Sequence, residues 1–244
     1  MSSHRVTLLL ASAAVLAAGC ASSSSARPKF VSGQAGATQR ARADSLRYPY
    51  TAADIEFMSG MIHHHAQAIT MSKLAPSHGA SASVQRLTAR IINAQTDEIK
   101  LMQSWLQDRN QPFPVVDTLG NVTMAGGHDM GGHSMAGMDM KDMKGMEGMN
   151  MGGKPMMMPG MLSDAQMAEL KAAKGTEFDR LFLTYMMQHH RGAITMVKTL
   201  FAAQGAGQDE TVFKFANDVE VDQSTEIKRM MSMMLEMGFV PPNG

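Results

Sequence analysis

An internal repeat constrains the fold of this chain more than any other feature of its sequence. When the 244-residue sequence is shifted by 125 positions, residues 51–73 align with residues 176–198, and 11 of the 23 aligned residues are identical. A second block recurs at a shift of 128, with five identical residues: Gln95, Glu98, Ile99, Lys100 and Met102 align with Gln223, Glu226, Ile227, Lys228 and Met230. The chain therefore contains two copies of one unit, and each unit has two blocks.

The first block of each unit has the period of an α-helix. At about 100° per residue, the shared residues between Asp54 and Met71 fall within an arc of about 120°, so one helix face carries the motif. Thr51-x-x-Asp54 and Thr176-x-x-Asp179 are typical of capping boxes, so Asp54 and Asp179 are interpreted as helix caps rather than metal ligands. Turn residues at 76–79 and 205–207 predict the helix ends.

The second blocks predict helices from about Ser83 to Asp108 and from about Asp209 to Met237, with apolar stripes. Each unit is then a helix hairpin, at residues 46–110 and 163–240. Because one hairpin cannot bury its own stripe, the sequence predicts an all-α protein in which the hairpins pair into an antiparallel four-helix bundle. Ser163-x-x-Gln166 predicts an additional short helix that ends near Gly175.

The N-terminus has the features of an export signal. After a short polar start, an apolar run of 13 residues ends before Gly19 and Cys20, the only cysteine; this length suits a signal peptide and is too short to span a bilayer. Residues 16–20 resemble a bacterial lipobox, with Leu16 one place further from the cysteine than usual. We therefore expect a signal peptide at 1–19, a lipidated Cys20 and a flexible tether at 20–45, with simple secretion as the alternative.

A methionine-rich linker, residues 111–162, separates the hairpins. Residues 124–161 contain 13 Met and 10 Gly but no Val, Ile, Leu, Phe, Tyr or Trp, so they cannot build a core, and we expect a disordered loop. Thioether sulfur is a soft ligand that suits Cu(I) and Ag(I). The candidate loop ligands are His128, Met130, His133, Met135, Met138, Met140, Met143, Met146, Met149 and Met151. A partner-binding role is the alternative for this segment.

The helical motif contains a second candidate metal site in each unit. Adjacent histidines recur in both units with a methionine on either side: Met61, His64, His65 and Met71 in the first, and Met186, His189, His190 and Met196 in the second. A mixed nitrogen and sulfur set suits copper, as Cu(I) or Cu(II). The alternative is a structural role in which the buried imidazoles bond to Gln95, Glu98, Gln223 or Glu226.

The residues D-x-x-F-x-x-x-M-x-x-H-H-x-x-A-I-x-M, followed by Q-x-x-E-I-x-x-M, resemble the bacterial family called domain of unknown function 305. The resemblance covers about residues 46–110 and 163–240. It implies a ferritin-like four-helix fold and, since the family includes exported copper-binding proteins of the CopM type, Cu(I) or Ag(I) binding by the two Met/His sets.

The sequence therefore predicts an exported, non-enzymatic copper-binding lipoprotein that faces the periplasm and serves tolerance, buffering or delivery, with a copper donor or acceptor protein as partner. A balance of 22 basic and 22 acidic residues argues against nucleic acid as a partner. One alternative is an oxidase, although the chain has none of the E-x-x-H elements of di-iron bundles. Another is a structural or interaction protein that binds no metal.

Overall fold

The computed structural model describes residues 33–47, 49–117, 122–125 and 158–242. These ranges contain six α-helices and one two-stranded antiparallel sheet. The helices are α1 (Gly33–Arg47), α2 (Ala52–Ser72), α3 (Ala82–Asp108), α4 (Asp164–Ala172), α5 (Gly175–Ala202) and α6 (Glu210–Glu236), and the strands are β1 (Phe113–Val116) and β2 (Val122–Ala125). The predicted all-α architecture is confirmed, with the small sheet as an addition.

The sequence repeat is also a structural repeat. Helices α2 and α3 form one hairpin, and α5 and α6 form the other. Moving the bounds of α3 by 128 positions gives residues 210–236, which are the bounds of α6. The hairpin turns are the predicted ones: a 3₁₀ turn over Ala75–His78 in the first, and Gly205 and Gly207, both with positive φ, in the second.

Two of the three predicted capping boxes are present. Thr51 and Asp54 exchange hydrogen bonds at the start of α2, and Ser163 and Gln166 do so at the start of α4. The box predicted at Thr176 is wrong. Helix α5 begins at Gly175, two residues earlier than a cap at Thr176 would give, and Lys174 precedes it without a side-chain cap, so Thr176 already lies inside the first turn.

Asp179, freed from that capping role, binds the other hairpin. Its two carboxylate oxygens accept from the backbone N–H of Ser81 at 3.2 and 3.1 Å, in the turn before α3. Asp54 makes the equivalent contact from the first hairpin to the second: its Oδ1 accepts from the N–H of Gly207 at 2.7 Å, in the turn before α6. Both carboxylates are buried. Each hairpin therefore fixes the turn of the other through an aspartate at the same position of the repeat.

The bundle interior divides into two apolar clusters at opposite ends. The Trp105 cluster includes Phe57, Met61, Met102, Trp105, Val197 and Phe215, and the Phe178 cluster includes Met71, Leu87, Phe178, Phe182, Met186 and Met230. The first half of α2 shares a cluster with the second half of α5, and the reverse holds at the other end. Helices α2 and α5 therefore cross antiparallel at the centre, between the clusters, and the predicted pairing of the two hairpins into a four-helix bundle is confirmed.

Two elements lie outside the bundle and were not expected. Helix α1 occupies part of the segment interpreted as a flexible tether, and Gln34 Nε2 donates to Asp108 Oδ1 at 2.8 Å. Residues 34–47 are rich in Ala, Arg and Gln, which have high helix propensity. The hairpin of β1 and β2 lies at the start of the linker, where Phe113-Pro-Val-Val116 supplies aromatic and β-branched residues. No helix in the described ranges has the length and apolar character needed to cross a bilayer.

Several predictions fall outside the described residues. These are the signal peptide at 1–19, the lipidation site Cys20, most of the tether and linker residues 126–157. All ten candidate loop ligands, from His128 to Met151, lie in that last range.

Candidate metal centre

A layer of four histidines fills the space between the two apolar clusters. His64 and His65 come from the middle of α2, and His189 and His190 come from the equivalent position of α5. All four are at most 1% exposed. The ring centroids of His64 and His189 are 3.8 Å apart, so two residues 125 positions apart in sequence meet at the point where the helices cross.

A carboxylate from the second helix of each hairpin orients one histidine of each pair. Nε2 of His65 lies 2.6 Å from Oε2 of Glu98, and Nε2 of His190 lies 2.6 Å from Oε2 of Glu226. An ionised carboxylate only accepts, so each Nε2 carries the proton and donates it. In the neutral ring, the lone pair then sits on Nδ1. Neither Nδ1 has a hydrogen-bond partner.

His64 is oriented by the backbone of the linker. Its Nε2 lies 3.0 Å from the carbonyl oxygen of Pro159, which can only accept, and its Nδ1 is without a partner. His189, the repeat equivalent of His64, has no partner on either ring nitrogen. Three of the four histidines thus donate from Nε2 to an oxygen and keep Nδ1 free, which is the arrangement that second-shell groups impose on metal-binding histidines.

Burial keeps the central rings neutral. It lowers the pKa of His64 to about 3, with a further lowering from His65 and an opposing effect of the Pro159 hydrogen bond. Burial also lowers the pKa of His189 well below its ordinary value, and the electrostatic repulsion that protonated His64 and His189 would exert on each other lowers it further. A histidine must be neutral to bind a metal. His64 and His189 are therefore ready to act as ligands at neutral pH.

The polar layer continues into the second helices of the hairpins. Gln95 and Gln223, at equivalent positions of α3 and α6, are 3% and 4% exposed, and the Oε1 atom of each lacks a hydrogen-bond partner. An unsatisfied buried polar atom costs about 1 to 3 kcal/mol. Several such atoms in one layer therefore destabilise the fold unless a ligand binds them.

The four predicted methionine ligands lie above and below the histidine layer. Met61 belongs to the Trp105 cluster and Met196 packs against it, while Met71 and Met186 belong to the Phe178 cluster. Met61 and Met71 are ten residues apart on one helix, a rise of about 15 Å. The structure therefore brings the histidines together and distributes the methionines on both sides of them, one from each helix on each side.

The donor set is limited to small groups of ligands. In the described part of the chain, no three side chains of the His, Cys, Asp and Glu types are arranged to hold a metal ion. Imidazole nitrogen and thioether sulfur are donor types that suit Cu(I) and Ag(I).

The sequence predicted which histidines and which polar residues of the second helices meet in this layer. The recurrent His pairs marked the histidine layer, and the recurrent Gln-x-x-Glu element marked the polar residues of α3 and α6 next to it. The observed bonds of His65 to Glu98 and of His190 to Glu226 are those of the predicted structural alternative. Pro159 was not found, because a backbone carbonyl that lies 95 positions from His64 leaves no trace in a repeat or a motif.

Comparison with known families identifies the chain from the same residues. The family model described as Domain of unknown function (DUF305) matches residues 54–234, which span all four bundle helices. The chain belongs to the DUF305 family. An uncharacterized protein of Acanthamoeba polyphaga mimivirus is 39% identical over 56 residues, which are 23% of this chain and 37% of that protein. The chain thus spans little more than a third of that relative.

Two solved structures of DUF305 proteins share the fold. A DUF305 protein of Streptomyces coelicolor is 25% identical to this chain, with a TM-score of 0.57. The match covers 79% of this chain and 98% of the other. A fragment from Deinococcus radiodurans is 22% identical with a TM-score of 0.54, over 77% and 98%. CopM in its Cu(I)-bound form is 23% identical with a TM-score of 0.49, over 75% and 96%.

Proposed function

We propose that this DUF305 protein is an exported copper-binding protein that takes Cu(I), and also Ag(I), at its histidine layer. Its role is binding rather than catalysis, in copper tolerance, buffering or delivery to a partner protein of the cell envelope. The observation that carries the proposal is the set of buried imidazoles with free Nδ1 atoms, three of them held by an oxygen acceptor at Nε2.

The choice of ion rests on the donor atoms. Neutral imidazole nitrogens and thioether sulfurs are poor ligands for Mg²⁺ and Ca²⁺, which prefer oxygen. Cu(I) and Ag(I) accept two or three soft or borderline donors, and the histidine layer with Met61, Met71, Met186 and Met196 on its two sides supplies them. Cu(II) is a secondary candidate through the imidazoles alone.

The export and anchoring part of the proposal rests on the sequence. A 13-residue apolar run before Cys20 supports a signal peptide, and lipidation of Cys20 would hold the bundle at the membrane on the periplasmic side. An exported protein benefits from methionine, because thioethers do not form disulfides in an oxidising compartment. The linker methionines and His128 and His133 are proposed to capture ions for the bundle.

The test is a competition titration of Cu(I) against a chromogenic chelator, on the full chain and on two variants. In the first variant, all four histidines of the layer are replaced by Gln, which keeps a polar side chain but is a poor Cu(I) ligand. The control is His78→Gln. His78 is also buried, but both of its ring nitrogens have partners: Leu74 O at 2.8 Å from Nδ1 and Lys171 O at 3.0 Å from Nε2.

We expect the fourfold variant to lose one class of tight site and most of the metal-induced rise in unfolding temperature, since a ligand stabilises the state that binds it. The control should lose apo stability and keep the tight site. If the fourfold variant keeps the metal-induced rise, the histidines are structural and the ion binds the folded protein elsewhere. If Zn²⁺ displaces Cu(I), the soft-ligand proposal fails.

A further inference from the structure

A cleft of about 210 Å³ opens between α3 and α6, on the side of the bundle where the two second helices face each other. Its walls include both carboxylates that orient the histidines, Glu98 and Glu226, and both glutamines with unpartnered oxygens, Gln95 and Gln223. Since Glu98 aligns with Glu226 and Gln95 with Gln223 at a shift of 128, the cleft lies on the axis that relates the two hairpins.

The two glutamates connect the cleft to the buried layer. Their side chains are 24% and 21% exposed, whereas the histidine side chains that they contact are fully buried. Each carboxylate thus touches solvent on one side and an imidazole on the other. A cation that reaches the carboxylates is one side chain away from His65 and His190.

Oxygen donors without partners line the same path. The Oε1 atoms of Gln95 and Gln223 are buried, accept no hydrogen bond and belong to the cleft wall. An amide oxygen is a cation ligand as well as a hydrogen-bond acceptor. These two atoms could replace part of the hydration shell of an ion that moves from the mouth of the cleft to the histidine layer.

The cleft is electrostatically negative. Three carboxylates line it, those of Glu98, Asp222 and Glu226, against one guanidinium, that of Arg90. Burial raises the pKa of Asp222, and the negative charges of Glu98, Asp218 and Glu226 raise it further. The carboxylates therefore share one field, and low-dielectric walls concentrate such a field on approaching cations.

The opposite side of the histidine layer is covered. Pro159 O bonds to His64, and the backbone of Pro159 and Gly160 lies directly on that of Gly192 in α5. Gln67 of α2 fixes the next residues, since its side chain bonds to both the N–H and the C=O of Leu162. Among the described residues, the linker end thus covers the histidine layer on the α2/α5 side, whereas the α3/α6 side carries the cleft.

We propose that the α3/α6 cleft is the route by which monovalent soft cations reach the histidine layer, with Asp222 attracting the ion and Glu98 and Glu226 passing it inward. This inference rests on the proposed function, because it assumes that the layer binds the ion. It assigns Asp222 and the two glutamines a role in uptake that the ligand set does not include.

The test measures how fast aqueous Ag(I) binds, by stopped-flow ultraviolet absorbance in chloride-free buffer. The phase that belongs to the buried layer is the one that disappears when its four histidines are replaced by Gln. The first variant is Asp222→Asn, which removes a charge at the cleft without touching a histidine. The second is Ala94→Asp, which adds a carboxylate at the exposed position that aligns with Asp222 in the other repeat.

At low ionic strength, Asp222→Asn should slow that phase and Ala94→Asp should accelerate it, each by about twofold to threefold, the factor expected for one unit charge about 8 Å away in water. Both effects should fade in high salt. The control Glu236→Gln neutralises an exposed carboxylate on the same helix, 14 residues from Asp222 and about 21 Å along the axis. It should leave the rate unchanged.

The outcomes separate the two proposals. If Ag(I) binding has no phase that depends on the histidines, the proposed function fails. If that phase exists and all three variants bind at the rate of the parent protein, the histidine layer stands and the cleft is not the route. Equal slowing by Asp222→Asn and Glu236→Gln would also reject the cleft, since only the net charge of the protein would then matter.

Discussion

Two glycines in the interiors of the facing helices α2 and α5 should respond in opposite directions to the same substitution. A methyl group at Gly192 would lie 1.9 Å from the carbonyl oxygen of Pro159 and 2.6 Å from Cα of Gly160, both backbone atoms. A methyl group at Gly60 would lie 3.4 Å from Met158 Sδ and 3.4 Å from Met196 Cε, the far ends of flexible side chains. The chain around Gly192 must move, whereas the chain around Gly60 need not.

The free energies follow from these contacts. In a helix interior, Ala is favoured over Gly by about 1 kcal/mol, so Gly60→Ala should be neutral or stabilising by up to about that amount. Gly192→Ala gains the same propensity but adds overpacking, at about 1 to 3 kcal/mol. It also displaces Pro159 and leaves Nε2 of His64 buried without a partner, at about 1 to 3 kcal/mol. We expect a net loss of about 1 to 5 kcal/mol.

The assay is urea unfolding of the metal-free protein, with circular dichroism at the helix band for the parent and both variants. The slopes should be equal, and the midpoint should fall for Gly192→Ala alone. Nuclear magnetic resonance should show the ring signals of His64 shifted in the same variant. Equal stability of the two variants would refute the close packing of the linker end on α5 and, with it, the covered side of the histidine layer.

Three further results are expected. Asp54→Ala should destabilise the protein more than Asp179→Ala in urea unfolding, because Asp54 accepts hydrogen bonds from three donors and Asp179 from one. Each hydrogen bond to a charged group contributes about 1.5 to 3 kcal/mol before relaxation, and equal losses of stability would contradict the prediction. The free energy of unfolding should fall as the pH drops from about 6.5 towards about 3, because His64 binds a proton in the unfolded state but not in the folded state. His64→Gln should make the free energy of unfolding less dependent on pH in this range. An unchanged pH profile would show that other groups control it. Replacing residues 126–157 by a Gly/Ser segment should lower the number of Cu(I) ions bound without changing the thermal transition of the metal-free protein, measured by calorimetry. A large loss of helix in the circular dichroism spectrum would instead place that segment in the core.

Periodicity and repetition predicted the parts of the fold that depend on local sequence. The helix bounds, the turns at 75–78 and 205–207 and the pairing of the hairpins follow from the 3.6-residue period, turn residues and the need to bury two apolar stripes. Asp179 shows where this reasoning ends. Its spacing from Thr176 fits a cap, but a carboxylate binds whichever N–H the tertiary fold brings closest, and that N–H belongs to Ser81.

The candidate site was predictable in its residue types and less so in its geometry. Recurrence marked His64, His65 and their equivalents, but the sequence could not show that the two pairs meet across the axis at 3.8 Å. Helical spacing grouped Met61 and Met71 with the histidines on one face. The same spacing also separates those methionines along the helix, so packing assigns them to different clusters.

The reciprocal bonds of Asp54 and Asp179 also bear on how such a chain could arise. Each hairpin completes the other's turn with a residue at the same repeat position, and each supplies one histidine to the contact on the axis. This is the geometry of a twofold homodimer in which the two copies have been joined end to end. A protein carrying one motif copy would therefore be half of this bundle and would need a second copy to close it. The joining segment breaks this symmetry, because Pro159 accepts from His64 while the equivalent His189 has no hydrogen-bond partner.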